Sequence, residues 1–236
     1  MKFLRGSGVA MITPFNKEGE VDYDAVVKVV DHIISGGIDY IVVMGTTAET
    51  ATLFEEERSK VVSLIVETTN NRVPLVLGIG GNNTASVVSK IKLTDLSSFK
   101  AILSVCPYYT KPSQEGIYQH YKNIANASSI PLILYNVPSR SGVSIENETT
   151  VRLANDFSNI IGTKDASGDL ESVLELLGTV PDGFHVISGD DLLALPIVLA
   201  GGSGVISVIG GGLPTQVSQM IHLGLEDKID LSLIHI

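Results

Sequence analysis

The sequence predicts an α/β protein built as a closed (β/α)8 barrel, a TIM barrel, and three observations carry that expectation. Eight short apolar runs alternate with helix-length amphipathic segments along nearly the whole chain. The runs show little polar alternation, as parallel strands covered on both faces should. No GxGxxG opens the first helix, so the rival open doubly wound sheet lacks its fingerprint.

The predicted strands are residues 9–13, 40–44, 75–79, 101–105, 132–135, 160–164, 185–188 and 204–208. Between the first two, segment 22–35 carries Val26, Val27, Val29, Val30, Ile33 and Ile34 at helical spacing. Segment 55–67 repeats the pattern with Val61, Val62, Leu64 and Ile65. Its Glu55-Glu56-Glu57 lies in a first turn, where the helix dipole favours negative charge, and reads as a solvated face. Thr84 is the expected N-cap ahead of Val87, Val88 and Ile91, and Ser113 the one ahead of Ile117 and Tyr121. Gly6-Ser7-Gly8 reads as a segment preceding the first strand. The glycines at 78–81 and 210–212 read as tight turns at strand ends, because the Walker lysine spacing is absent. Residues 215–224 read as a helix. The apolar finish Leu231-Ser232-Leu233-Ile234-His235-Ile236 has neither cap nor polar ending. The expected organisation is therefore a barrel domain over 1–225. Residues 226–236 are either the start of a truncated helical region or a foreign tail.

At 236 residues, with 44% hydrophobic and 18% charged, the chain can bury a large core and is not disordered. Its formal net charge of −10 disfavours nucleic acid and anionic membranes as partners. The single cysteine, Cys106, allows no intramolecular disulfide and reads as a buried small residue. No signal-like apolar region opens the chain, and no run reaches the ~18 residues of a membrane helix, so a cytoplasmic location is expected. The histidines, at 32, 120, 185, 222 and 235, form no HxxH or HExxH arrangement, and no GxSxG elbow occurs. Metal-assisted and serine-hydrolase chemistry are disfavoured.

Lys164 carries the chemistry. It emerges from the apolar run Asn159-Ile160-Ile161-Gly162-Thr163. An ammonium there is costly to desolvate, and an amine with a lowered pKa is a nucleophile toward carbonyl compounds. The ordinary alternative is a strand-ending lysine that pairs with Asp165 or another carboxylate. In a barrel, the C-terminal strand ends share one rim. They bring Lys164 together with Thr46-Thr47, Tyr108-Tyr109, Tyr135, Arg140 and Asp190-Asp191. Each has a plain reading: tyrosines pack, threonines cap, Arg140 is a surface charge, and Asp190-Asp191 caps the following helix. Their convergence instead suits imine chemistry, which needs a proton donor and acceptor, with a guanidinium to hold a carboxylate.

The motifs Gly45-Thr46-Thr47-Ala48-Glu49-Thr50, Pro107-Tyr108-Tyr109, Tyr135-Asn136-Val137-Pro138-Ser139-Arg140-Ser141-Gly142, Gly162-Thr163-Lys164-Asp165-Ala166-Ser167-Gly168 and Ser188-Gly189-Asp190-Asp191 occur in this order. Over roughly residues 3–225 the chain thereby resembles the dihydrodipicolinate synthase family (4-hydroxy-tetrahydrodipicolinate synthases) of pyruvate-dependent class I aldolases and lyases. The resemblance implies a cofactor-free condensation of pyruvate with aspartate semialdehyde in lysine biosynthesis. Lys164 would form the Schiff base, and Tyr135 would relay protons with Thr46 and with Tyr109. The family's counterpart of Tyr109 reaches in from a neighbouring subunit, implying a homo-oligomer, dimer or tetramer. Thr47 would hold the pyruvate carboxylate and Arg140 that of the second substrate, with Gly189 and Ile206 lining the pocket. N-acetylneuraminate lyases and sugar-acid aldolases are the related alternative, but they generally lack the arginine and tend to have Ser-Thr in place of Thr46-Thr47. An inactive binding barrel is the alternative from another class. The family's lysine-inhibition site maps onto Glu55, Arg58, Asn82, Ser86 and Tyr108. Arg58 would repel the ligand's ammonium, which implies weak or absent feedback inhibition. The family also carries further C-terminal helices that are expected to be largely missing here.

Overall fold

The computed structural model describes residues 2–234, so the predicted segment 226–236 is covered as far as Ile234. Eight parallel strands close a barrel in sequence order: β1 (Gly6–Ala10), β2 (Tyr40–Val43), β3 (Leu75–Gly78), β4 (Ala101–Val105), β5 (Leu132–Asn136), β6 (Ile160–Asp165), β7 (His185–Ser188) and β8 (Gly204–Ser207). β8 pairs back onto β1 and closes the ring. The helices between and after them are α1 (Tyr23–Ser35), α2 (Glu55–Thr69), α3 (Thr84–Leu93), α4 (Gln114–Ala127), α5 (Pro138–Ser141), α6 (Asn147–Asp156), α7 (Leu170–Leu177), α8 (Ala194–Leu199), α9 (Pro214–Leu225) and α10 (Ile229–Leu233). Among the described residues, no helix is long and apolar enough to cross a membrane.

Two apolar layers hold the barrel. The outer one packs helix stripes on the strands, as where α1 buries Val26, Val30 and Ile33 completely. Each such side chain contributes about 2 kcal/mol through burial. The inner layer fills the barrel axis with Tyr40, Val42, Ile133, Tyr135, Ile187 and Ile206. Tyr40 explains why the first strand starts earlier than the predicted 9–13. A Cβ on Gly8 would lie 2.3 Å from the Tyr40 ring, so glycine there makes room for an aromatic ring inside the barrel. Gly6-Ser7-Gly8 is thus part of the strand rather than a segment preceding it, and Gly8 pairs with Tyr40 in register.

Helix starts follow side-chain chemistry. Asp22 caps α1 by accepting from Ala25 N at 2.9 Å, and Ser113 caps α4 by accepting from Gly116 N at 3.3 Å. The cap of α3 is Asn83, which accepts from Ser86 N at 3.1 Å. Thr84, the expected cap, is already helical and meets His120 Nδ1 at 2.8 Å instead. Glu57 accepts the Phe54 N–H at 2.8 Å, so the acidic run also caps α2. After the barrel, α10 docks on α9, where the Ser232 hydroxyl donates to Met220 O at 2.7 Å.

The floor of the barrel is tied to α9 by a charged contact. His222 Nε2 lies 2.7 Å from Asp39 Oδ2, which also accepts from Ser7 N at 2.7 Å. Burial pushes Asp39 up, but the bonds from His222 and Ser7 outweigh it and hold the carboxyl below its ordinary value. The bond to Asp39 raises His222 above its ordinary value of 6.5. The stability contributed by His222 is therefore fully present below pH 6.5 and is lost as pH rises through the raised folded value. The Asp39 contribution runs the opposite way, lost as pH falls below 3.8. Both side chains are partly exposed, so the contact is worth less than ~1 kcal/mol. His222→Gln should flatten the decline in urea-unfolding midpoint that the unaltered chain shows as pH rises above 6.5.

Candidate active site

β5 and β6 pair Tyr135 with Lys164 and Asn136 with Asp165. Side chains alternate along a strand, so Tyr135 and Lys164 face the barrel axis while Asn136 and Asp165 face the helices. Asp165 is occupied there. It accepts from Asn136 Nδ2 at 2.7 Å, Ser167 N at 2.9 Å and Ser167 Oγ at 2.5 Å. Lys164 is only 5% exposed and forms no ion pair among the described residues. The alternative of a strand-end lysine paired with Asp165 is thereby removed.

Burial lowers the Lys164 amine to about 8; the charge of Asp191 opposes that fall and that of Arg140 adds to it. At pH 7 an amine with that value is free about one-tenth of the time, roughly 300-fold more than an ordinary lysine. Its Nζ stands 4.3 Å from the centroid of the Tyr135 ring. Gly189 gives the lysine its space, since a Cβ there would lie 2.8 Å from Lys164 Cε. Tyr135 is buried, which raises its phenol above 10, partly offset by a hydrogen bond with Thr46 and by the charge of Arg140. The phenol therefore keeps its proton at neutral pH and can donate it.

The other expected site residues lie on neighbouring strands and in the turns that follow them. Thr46 and Thr47 open a 3-10 turn (Thr46–Ala48) directly above β2, with Thr46 exposed at the rim. Arg140 sits exposed in α5, the short helix that follows β5. Ile206 is fully buried on β8, paired with Gly8. Tyr109 is 88% exposed with φ 70°, and makes no hydrogen bond to Tyr135 or Thr46. The three-residue relay is thus not assembled within one chain. Asp190 and Asp191 do not cap α8, whose N-cap is Leu193 without a side-chain bond. A turn separates them from that helix. Asp190 accepts from Leu192 N, and Asp191 reaches across to the turn after β8. Cys106 is buried, which pushes its thiol up to about 12 and makes it inert.

A cavity of about 550 Å³ opens above Tyr135, with Thr46, Tyr108 and Arg140 in its wall. Arg58 and Lys90 line it too, and they also line an adjoining cavity of about 800 Å³ between α2 and α3. Both cations contact Glu55, Arg58 at 3.2 Å and Lys90 at 3.7 Å. Ser86 lies in this second wall, together with Asn83 rather than the expected Asn82. Lys90 was not legible as a site residue, because only the packing of α3 beside α2 brings it to the rim. Arg58, Lys90 and Arg140 share this rim with the carboxylates of Glu49 and Glu55.

The sequence profile described as the dihydrodipicolinate synthetase family matches residues 3–235. The chain belongs to that family. It is 55% identical over 230 residues to the 4-hydroxy-tetrahydrodipicolinate synthase of Flavobacterium psychrophilum, covering 98% of this chain and 78% of the relative. Identity to the enzyme of the same name from Parabacteroides distasonis is 52%, covering 96% of this chain and 76% of the relative. Among solved structures, the chloride-inhibited dihydrodipicolinate synthase of Acinetobacter baumannii complexed with pyruvate is 40% identical with a TM-score of 0.94. That match covers 98% of this chain and 79% of the other. The family comparison and the barrel agree on the fold class, and the chain covers about four-fifths of these relatives' length.

A buried lysine that is still mostly protonated should weaken the fold. Lys164→Met is expected to raise unfolding stability by about 2–3 kcal/mol at neutral pH, measured in urea. The gain should shrink as pH rises from about 8 toward 10.5, where the folded amine is neutral and the unfolded one is still charged.

Proposed function

We infer that the chain is a lyase with 4-hydroxy-tetrahydrodipicolinate synthase activity, joining pyruvate to L-aspartate 4-semialdehyde in the diaminopimelate route to lysine. The observation that carries this reading is the unpaired Lys164 amine, lowered to about 8 and set against a protonated Tyr135. The free amine attacks C2 of pyruvate, and Tyr135 supplies the proton that lets the carbinolamine oxygen leave as water. Loss of a C3 proton gives the enamine, whose C3 attacks the aldehyde carbon of the second substrate. The amino group of the semialdehyde then attacks C2, closing the ring as the bond from C2 to Lys164 breaks and the lysine amine is released, with Tyr135 moving the protons.

Thr46 links Tyr135 to Tyr109 contributed by a neighbouring copy. The exposure of Tyr109 supports that arrangement and hence a homo-oligomer, dimer or tetramer. Thr47 holds the carboxylate of pyruvate, Arg140 holds that of the semialdehyde, and Gly189 and Ile206 line the pocket. The nucleophile is the protein's own amine, so no cofactor or metal enters the scheme. The barrel over 1–225 is the catalytic unit, and the described part of 226–236 adds only the short helix α10 behind it. A cytoplasmic location suits a biosynthetic enzyme that uses small metabolites.

Arg140 and the Thr46-Thr47 pair favour this reading over aldolases for sugar-derived 2-keto acids. A panel of aldehydes offered with pyruvate should give turnover with aspartate semialdehyde and little with sugar aldehydes. Added L-lysine should inhibit weakly or not at all, given the positive charge of Arg58 and Lys90 in the adjoining cavity. Arg140→Leu should lower kcat/KM for the semialdehyde by about 100-fold, the cost of losing a charge-assisted carboxylate contact, while pyruvate still reacts with Lys164. Undiminished semialdehyde turnover in that variant would remove Arg140 from the site.

A further inference from the structure

The Asp191 carboxylate is committed across the top of β7 and β8. One oxygen accepts the Ser207 hydroxyl, and the other accepts the backbone N–H groups of Val208 and Ile209 at 3.0 and 3.1 Å. Ser207 Oγ in turn accepts from Gly210 N at 2.7 Å. A single side chain thus fixes the whole turn that follows β8. That turn begins after Ser207, whose neighbour Ile206 packs inside the barrel with Tyr135 and Ile187. Asp191 also stands two residues beyond Gly189, whose missing side chain gives Lys164 its space.

The charged and titratable groups around the Lys164 amine can be taken element by element. β5 contributes Tyr135, and α5 contributes Arg140. Asp165 on β6 faces outward and is held by Asn136 and Ser167. Asp190, after β7, accepts from Leu192 N at 2.8 Å. β8 offers the uncharged Ile206 and Ser207. Asp191 is the carboxylate whose charge favours the ammonium form of Lys164.

We propose that Asp191 is a positioning residue for the lysine chemistry, acting at two places through one carboxylate. It holds the turn bordering the reaction chamber, and it keeps a fixed negative charge near Lys164 without pairing with it. The proposal rests on Lys164 being the reacting amine. Its physical sense lies in the change of charge during the reaction. The attacking amine is neutral, but the iminium it becomes is a cation in the same buried place. A preorganised carboxylate, already held by three donors, stabilises that cation without having to reorient. A direct ion pair would instead hold the lysine as an ammonium and block attack.

The test separates charge from clamp. Competitive acetylation with acetic anhydride from about pH 6 to about pH 11, read on the Lys164 peptide, titrates the amine without any substrate. In Asp191→Asn the midpoint should fall by about one pH unit, because the neighbouring negative charge is gone. Ser207→Ala keeps the charge and loosens the turn, so its midpoint should stay within about 0.3 unit of the unaltered chain's. Borohydride trapping of pyruvate should slow about tenfold or more in Asp191→Asn and about threefold in Ser207→Ala. Asp191→Ser serves as the neutral variant if the asparagine amide, set against three donors, unfolds the turn. An unmoved midpoint in the neutral variant overturns the proposal, as does an equal shift in Ser207→Ala. If the unaltered chain took up no pyruvate while its titration still answered to Asp191, the Schiff-base reading would fall and the charge coupling would stand.

Discussion

The chemistry of this barrel depends on the alternation of β6, which turns Thr163 and Asp165 toward the helices and Lys164 toward the axis. A slip of one residue would exchange them, placing a carboxylate inside and the amine among hydrogen-bonding partners. The pairing of β5 with β6 fixes that phase by setting Tyr135 beside Lys164. Both then sit in an apolar interior made by Ile133, Ile187 and Ile206. That interior lowers the lysine and raises the tyrosine, so the two groups are driven toward the protonation states that nucleophile and proton donor need.

The same placement works against stability, because a buried cation without a partner is expensive to fold. Asp191 recovers a little of that cost through its charge but stops short of an ion pair, which leaves the amine free to react. The rest is offset elsewhere, in the helix stripes on the outer strand faces and in the ring of Tyr40 at the barrel floor. The bond between His222 and Asp39 closes the end of the barrel opposite the reaction rim. Stability and reactivity are therefore built on different parts of the barrel, as its division into a catalytic and a supporting face requires.

Much of this was legible in the amino-acid sequence, for identifiable reasons. Unalternated apolar runs mark parallel strands, and the stripe at Val26, Val30 and Ile33 marks a helix on a sheet, so local pattern and global fold agree. Lys164 stood out because a cation ending an apolar run breaks the pattern. The first strand begins ahead of the predicted 9–13 because Gly6 and Gly8 carry no apolar signal, and only the Tyr40 ring shows why glycine belongs there. The cap of α3 lies one residue ahead of the predicted Thr84, where Asn83 and Thr84 compete chemically on equal terms. Local sequence suggests a helix cap for Asp191, whereas its real partners lie 16 to 18 residues further along, on a strand end that only barrel closure brings near. Lys90 reaches the rim only through the packing of α3 beside α2, which local spacing does not encode.

The most direct test of the central claim is a mass measurement on the intact, folded protein incubated with pyruvate and borohydride, followed by peptide mapping. The expected result is one reduced pyruvyl group per chain, carried on Lys164 and absent from Lys164→Met. Unmodified protein under conditions where it remains folded, or a label carried on a different lysine, would contradict a buried amine that captures a 2-oxo acid.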